Sequence, residues 1–137
     1  MRENLSSWND TIVALATPPG LGAIAVIRLS GPTAIDIISL VFSKKNLNNK
    51  ASHTVHLGKI INGKEVIDEV VVTIYKAPKS YTGEEVVEIS CHGAPLIQDD
   101  ILQLLQANGA RLAKPGEFTQ RAFLNGKLDL TLSLIHI

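Results

Sequence analysis

The chain has one cysteine and no net charge, and each shortage closes a class of function. With Cys91 alone, an intrachain disulfide framework is excluded, which fits a reducing compartment. The four histidines, His53, His56, His92 and His136, show no paired ligand spacing, so no metal site is expected. Thirteen basic residues are cancelled by thirteen acidic ones. Such a chain has no long-range field to hold a polyanion by phosphate contacts alone; if RNA is involved, another part of a larger assembly is expected to grip it. No segment approaches the ~20 apolar residues of a membrane span. The opening "MRENLSSWNDT" also lacks the apolar core of a signal peptide, so a cytoplasmic protein with no membrane partner is expected.

Two nucleotide motifs are missing as well. No Gly-x-x-x-x-Gly-Lys-Ser/Thr occurs, and "GLGAIA" follows a strand but enters another strand rather than a helix. Neither a nucleotide-hydrolysing P-loop nor an NAD or FAD fingerprint is present in this chain.

What is present is apolar material for one core: 45% of the 137 residues are hydrophobic and 19% charged, about one domain by length. "TIVALA" reads as a short strand stopped by Thr17-Pro18-Pro19-Gly20. "GAIAVIRLS" is apolar on both alternation faces, as a strand covered on two sides would be, with Arg28 breaking the pattern near its end. The spacing of Ile35, Ile38, Val41 and Phe42 predicts a helix over about Pro32 to Phe42. "SKKNLNNKASH" has no periodicity and reads as a mobile loop.

"TVHLGKI" and "EVIDEVVVTIY" flank Asn62-Gly63, a strong hairpin signal, and "VVEISCH" follows as another strand. Pro95 and Gly109 bracket a helix with Ile101, Leu104 and Leu105 on one stripe. "ARLAK" is a short strand, and "EFTQRAFLN" a short helix that stops at Gly126, with Phe118 and Phe123 expected to pack it on the sheet. An irregular alternation with one hairpin predicts an α+β domain with a mixed, mainly antiparallel sheet carrying helices.

Several residues could carry chemistry. Alternation puts Val86, Glu88, Ser90 and His92 on one face of their strand and Val87, Ile89 and Cys91 on the other. Glu88 is either a solvated carboxylate or an acceptor of two parallel N–H bonds from a heterocycle such as a pterin. Arg28 either snorkels to water or, between Ile27 and Leu29, holds an anionic or carbonyl partner. Cys91 and His92 point to opposite faces, which argues against a thiolate–imidazole pair. The junction His92-Gly93-Ala94-Pro95 is more simply a turn than an anion site. Arg121 is expected to be solvated or ion-paired rather than ligand-bound.

Taken together, "DTIVALATPPGLGAIAVIRLSGP", "SYTGEEVVEISCHGAP" and "KPGEFTQRAFLNGKLDL" resemble the amino-terminal domain of the MnmE (TrmE) family of tRNA modification GTPases. The match runs from Asp10 to Leu130. It implies a module similar to the folate-binding part of glycine-cleavage T-proteins, which homodimerises and binds a tetrahydrofolate derivative, 5-formyl- or 5,10-methylene-tetrahydrofolate, at or near the dimer interface. Carried over, Arg28, Glu88 and Lys127 become the folate contacts, Glu88 on the pterin edge and the two cations on carbonyl or carboxylate oxygens. No catalytic residue is expected.

The family's other parts are a helical domain and an inserted GTPase domain with its GTP, potassium and magnesium sites. The family works with the FAD-containing MnmG on C5 of the tRNA wobble uridine. The alternative is a purely structural dimerisation domain. Three departures stand out: Leu21 where relatives often have Arg, Cys91 where they often have Gly, and "TLSLIHI" after "LDL" in place of an Ala, Gln and Glu-rich helix. The expected division is therefore a folate-binding and dimerisation domain over residues 1–130 and a non-native tail over residues 131–137. Without the helical and GTPase domains, this fragment is expected to be inactive alone.

Overall fold

The computed structural model describes residues 9–126; the expected tail at 131–137 and Lys127 lie outside the described residues. Six strands form one sheet: β1 Thr11–Leu15, β2 Ile24–Ser30, β3 Thr54–Asn62, β4 Glu65–Tyr75, β5 Val86–His92 and β6 Ala110–Leu112. Their order is β3-β4-β5-β2-β1-β6. Every pairing is antiparallel except β1 with β6, which is parallel. Helices α1 Ala34–Val41, α2 Pro95–Ala107 and α3 Glu117–Leu124 complete an α+β fold with a mixed, mainly antiparallel sheet.

Alternation decides which sheet face is covered. Ile27, Leu29, Val72, Ile74, Val87 and Ile89 point to one face and are buried, packed with Ile35, Ile38 and Val41 of α1 and Ile101 and Leu105 of α2. Burying each such side chain contributes about 1.5–3 kcal/mol before entropy is counted. The opposite face carries Val26, Arg28, Glu88, Ser90, Val71 and Thr73, all half-buried. Ile24, Val55 and Leu57 are 65%, 64% and 57% exposed. The doubly covered β2 expected from its apolar run is thus only partly found among the described residues: α1 and α2 cover one face, and on the other Tyr81 and, from α3, Phe118 reach only Arg28.

The hairpin forms at Asn62-Gly63, where Gly63 takes φ 64°, a left-handed turn conformation that glycine adopts without steric cost. Helix α1 starts two residues later than its pattern suggests. Thr33 is held instead by Thr11, whose Oγ1 accepts from the Thr33 backbone N–H at 3.0 Å and pairs with its hydroxyl at 2.7 Å. The aperiodic stretch after α1 is also more ordered than its composition implies, for it contains a 3-10 turn at Leu47–Asn49 anchored by the fully buried Leu47.

Gly93 owes its place to crowding. A Cβ there would lie 2.1 Å from the Gly22 carbonyl oxygen. The Gly93 N–H donates to Ala23 O at 3.2 Å, so the strand-to-helix junction is a close backbone crossing.

Candidate functional site

Arg28 and Glu88 face each other across the β2–β5 ladder. Antiparallel register brings such directly opposed side chains together. Arg28 donates from Nε to Glu88 Oε2 at 3.0 Å, and its Nη2 lies 3.0 Å from the same oxygen. Their side chains are 24% and 27% exposed, shielded enough for the pair to be held but open to one side.

Two aromatic rings fix the guanidinium. Arg28 Cζ lies 5.3 Å from the Tyr81 ring centroid and 5.4 Å from that of Phe118, both within cation–π range. Tyr81 comes from the loop before β5 and Phe118 from the first turn of α3. The Tyr81 hydroxyl pairs with Thr119 Oγ1 at 3.0 Å, tying loop to helix. No local pattern in the sequence pairs these two rings with Arg28; their convergence comes from the fold.

Beside Arg28 opens a cleft of about 880 Å³. Its floor is Ala14 and Leu15 of β1 with Ala16 just beyond, and its far wall runs from Ala113 through Lys114, Pro115 and Gly116 into α3. Small side chains on β1 leave the room, while Arg28, Tyr81, Phe118 and Thr119 supply the polar and aromatic wall. The size falls within the ~300–1,000 Å³ range of small-molecule sites. Glu88 is not part of this lining; it sits on the β5 side of Arg28, away from β1.

The wall is anchored by a buried charge network. Arg121 in α3 is fully buried, donating from Nη2 to Asp10 Oδ1 at 2.7 Å and to Glu117 Oε2 at 3.3 Å, and from Nη1 to both Glu84 oxygens at 3.2 Å. Arg111 adds Nη2 to Glu117 Oε2 at 2.6 Å and Nε to Asp10 Oδ2 at 2.7 Å. Burial opposes ionisation of Asp10 and Glu117, but hydrogen bonds from Arg111 and Arg121 to Asp10, and from Arg111 and the Lys114 backbone N–H to Glu117, outweigh it together with the arginine charges and hold both carboxyls below their ordinary values. Arg121 is therefore ion-paired but not solvated. Phe123, expected to pack inward, is 38% exposed, because Ala122 and Arg121 occupy the buried side of α3.

At the other end of β5, burial and the nearby Asp68 carboxylate push the Cys91 thiol up to about 11, so it is protonated at neutral pH. His92 faces away from it. Asp68 accepts from the His92 backbone N–H at 2.8 Å and pairs with Nδ1 at 2.7 Å, ending the strand where β4 diverges. Lys127 lies outside the described residues. Just before it, Asn125 donates from Nδ2 to Thr82 O at 2.9 Å, fixing the end of α3 to the Tyr81 loop.

Residues 11–127 match the family model described as "GTP-binding protein TrmE N-terminus". The chain belongs to this family. It is 60% identical over 126 residues to the tRNA modification GTPase MnmE of Cytophaga hutchinsonii, covering 92% of this chain and 27% of that protein. It is 58% identical over 126 residues to the protein of that name from Christiangramia forsetii, covering 90% and 27%. Against the Listeria welshimeri protein the identity is 58% over 123 residues, covering 89% and 27%. The chain thus spans about a quarter of the length of these relatives. No helix among the described residues is long and apolar enough to cross a membrane.

Proposed function

We propose that this TrmE amino-terminal domain binds a tetrahydrofolate one-carbon derivative beside Arg28 and homodimerises, within a larger GTPase that modifies the tRNA wobble uridine together with MnmG. The observation that supports folate most is the Arg28–Glu88 pair at the edge of the cleft, with the Arg28 guanidinium over the Tyr81 and Phe118 rings.

The donor set fits the ligand. A reduced folate offers a pterin with paired N–H donors, an aromatic linker and terminal carboxylates. Glu88 supplies an acceptor for the pterin edge, and because both Arg28 contacts fall on Oε2, Oε1 has no protein donor among the described residues. Arg28 retains donors for a carbonyl or carboxylate oxygen, and Lys127 is assigned the same role. Tyr81 and Phe118 present faces on which flat rings stack. The domain carries no catalytic group of its own in this reading: it binds and orients the cofactor.

Homodimerisation is supported by the bare sheet face, where Ile24, Val55 and Leu57 are exposed next to half-buried Val26 and Val71. That face equally suits a purely structural dimerisation domain with no ligand. Titration calorimetry with 5-formyltetrahydrofolate separates the two. Saturable heat that disappears in Glu88→Ala, while light scattering still reports a dimer, supports folate binding. A folded dimer with no heat at millimolar ligand leaves only the structural role.

A further inference from the structure

Charge balance over the whole chain conceals a strong local segregation. From Ile37 to Lys64 there are five lysines and two histidines and not one acidic residue. Folding concentrates part of this run at one corner of the domain. Leu47 is buried and pins the segment, so Lys44, Lys45 and Lys50 are displayed around it, all exposed.

Lys76, from the end of β4, joins them: its Nζ donates to Asn48 O at 2.7 Å and its backbone N–H to Ser52 Oγ at 2.8 Å. His56 marks the same corner, for burial lowers its basicity and the charges of Lys50 and Lys44 lower it further.

The nearby counter-charges are few. Asp36 accepts from Asn48 Nδ2 at 2.6 Å and Glu85 from the Ala77 N–H at 2.5 Å, and neither forms an ion pair with these lysines among the described residues. Lys59, by contrast, stands opposite Glu69 on β4 and is set aside. None of the ion pairs among the described residues involves a lysine. Lys45 Nζ and Lys76 Nζ instead donate to the backbone carbonyls of Ser39 and Asn48, which steadies the ammonium groups without neutralising them.

We propose that Lys44, Lys45, Lys50 and Lys76 form a docking surface for the phosphate backbone of a folded RNA. The proposal rests on reading the chain as part of a tRNA-modifying protein, and it assigns that substrate a contact on this domain. The chemistry favours backbone over bases. Lysines beside Asn46, Asn48, Asn49 and Ser52 position phosphates. Base reading of single strands uses exposed aromatic platforms, and the corner's one tyrosine, Tyr75, is half-buried, its ring centroid 5.0 Å from that of His53 in a T-shaped contact. A stem is therefore the part of the RNA that fits.

The neutral total charge makes this an auxiliary contact, weak and salt-sensitive. Neutralising three or four phosphates gives a slope of log affinity against log salt of about −3 to −4. The test uses this chain and an unmodified tRNA transcript at low salt, with fluorescence anisotropy for affinity and amide NMR for location. The expected result is movement of signals from Lys44 to Lys50, His56 and Lys76. The Lys44→Glu/Lys50→Glu variant should bind at least tenfold more weakly, with a slope shallower by about 2. No movement at this corner, or equal binding by the variant, overturns the proposal, as does tight binding of phosphatidylglycerol vesicles with none of tRNA. Folate calorimetry on the same two proteins keeps the questions apart. The lysine variant should retain the wild-type folate response; absence of tRNA binding by the wild-type chain while its folate response is intact counts against this surface alone.

Discussion

Arg121 and Asp10 are 111 residues apart in sequence and 2.7 Å apart in space. That contact joins α3 to the residue before β1, and Glu84 joins the same guanidinium to the segment before β5. A surface salt bridge contributes little, but truncating one member of a buried network strands the others. Arg121→Ala should therefore cost about 3–5 kcal/mol in urea unfolding. Arg121→Lys should recover only part, since an ammonium cannot span three carboxylates with a planar fork. A loss below about 1 kcal/mol, the level of an exposed pair, would mean the network is not what holds α3.

Acid should loosen the same region. Asp10 and Glu117 sit below their ordinary values of 3.8 and 4.5 because hydrogen bonds, chiefly from Arg111, and the arginine charges outweigh their burial. Carboxyls of this kind contribute stability above their unfolded values and lose it as pH falls through the folded ones. The urea midpoint should thus hold steady down to about pH 5 and fall below it, most steeply under the ordinary carboxylate range. Arg111→Met, which removes a donor to both groups, should flatten that fall; an unchanged acid profile in the variant would contradict the assignment.

The two rings around Arg28 should matter for ligand affinity. Removing a cation–π partner costs about 0.5–2 kcal/mol depending on exposure. Phe118→Leu keeps bulk but loses the aromatic face, and should weaken 5-formyltetrahydrofolate by about 5- to 30-fold for a loss of 1–2 kcal/mol. Tyr81→Phe keeps the face and loses the hydroxyl bond to Thr119, so it should weaken binding less. Calorimetry on the pair decides it, and equal losses would point to packing in place of guanidinium positioning.

Much of the sheet is legible in the residues themselves. β4 and β5 coincide with their alternating apolar runs, and Asn62-Gly63 marks the hairpin between β3 and β4. The parallel β1–β6 pairing has no local signal, because it depends on α2 carrying the chain across the sheet. β2 looks like a doubly covered strand because Ile24 and Val26 interrupt the polar alternation, yet on that side Ile24 is exposed and Tyr81 and Phe118 reach only Arg28.

Site residues divide in the same way. Arg28 and Glu88 are conspicuous as charges within apolar strands, but their mutual contact depends on β2–β5 register. Arg121 looks like one half of a surface i,i+4 pair with Glu117. Its burial comes from Asp10 and Glu84, both distant in sequence. Tyr81 and Phe118 join the site only once α3 is docked.

The most direct test of the folate site is NMR mapping on this chain, following backbone amides and the Arg28 Nε–H signal during titration with 5-formyltetrahydrofolate. The expected result is saturable movement of Arg28 and Glu88, with Tyr81, Phe118 and Thr119 following at the same ligand concentration. Movement confined to the open face around Ile24, Val55 and Leu57, with Arg28 unaffected, would contradict it.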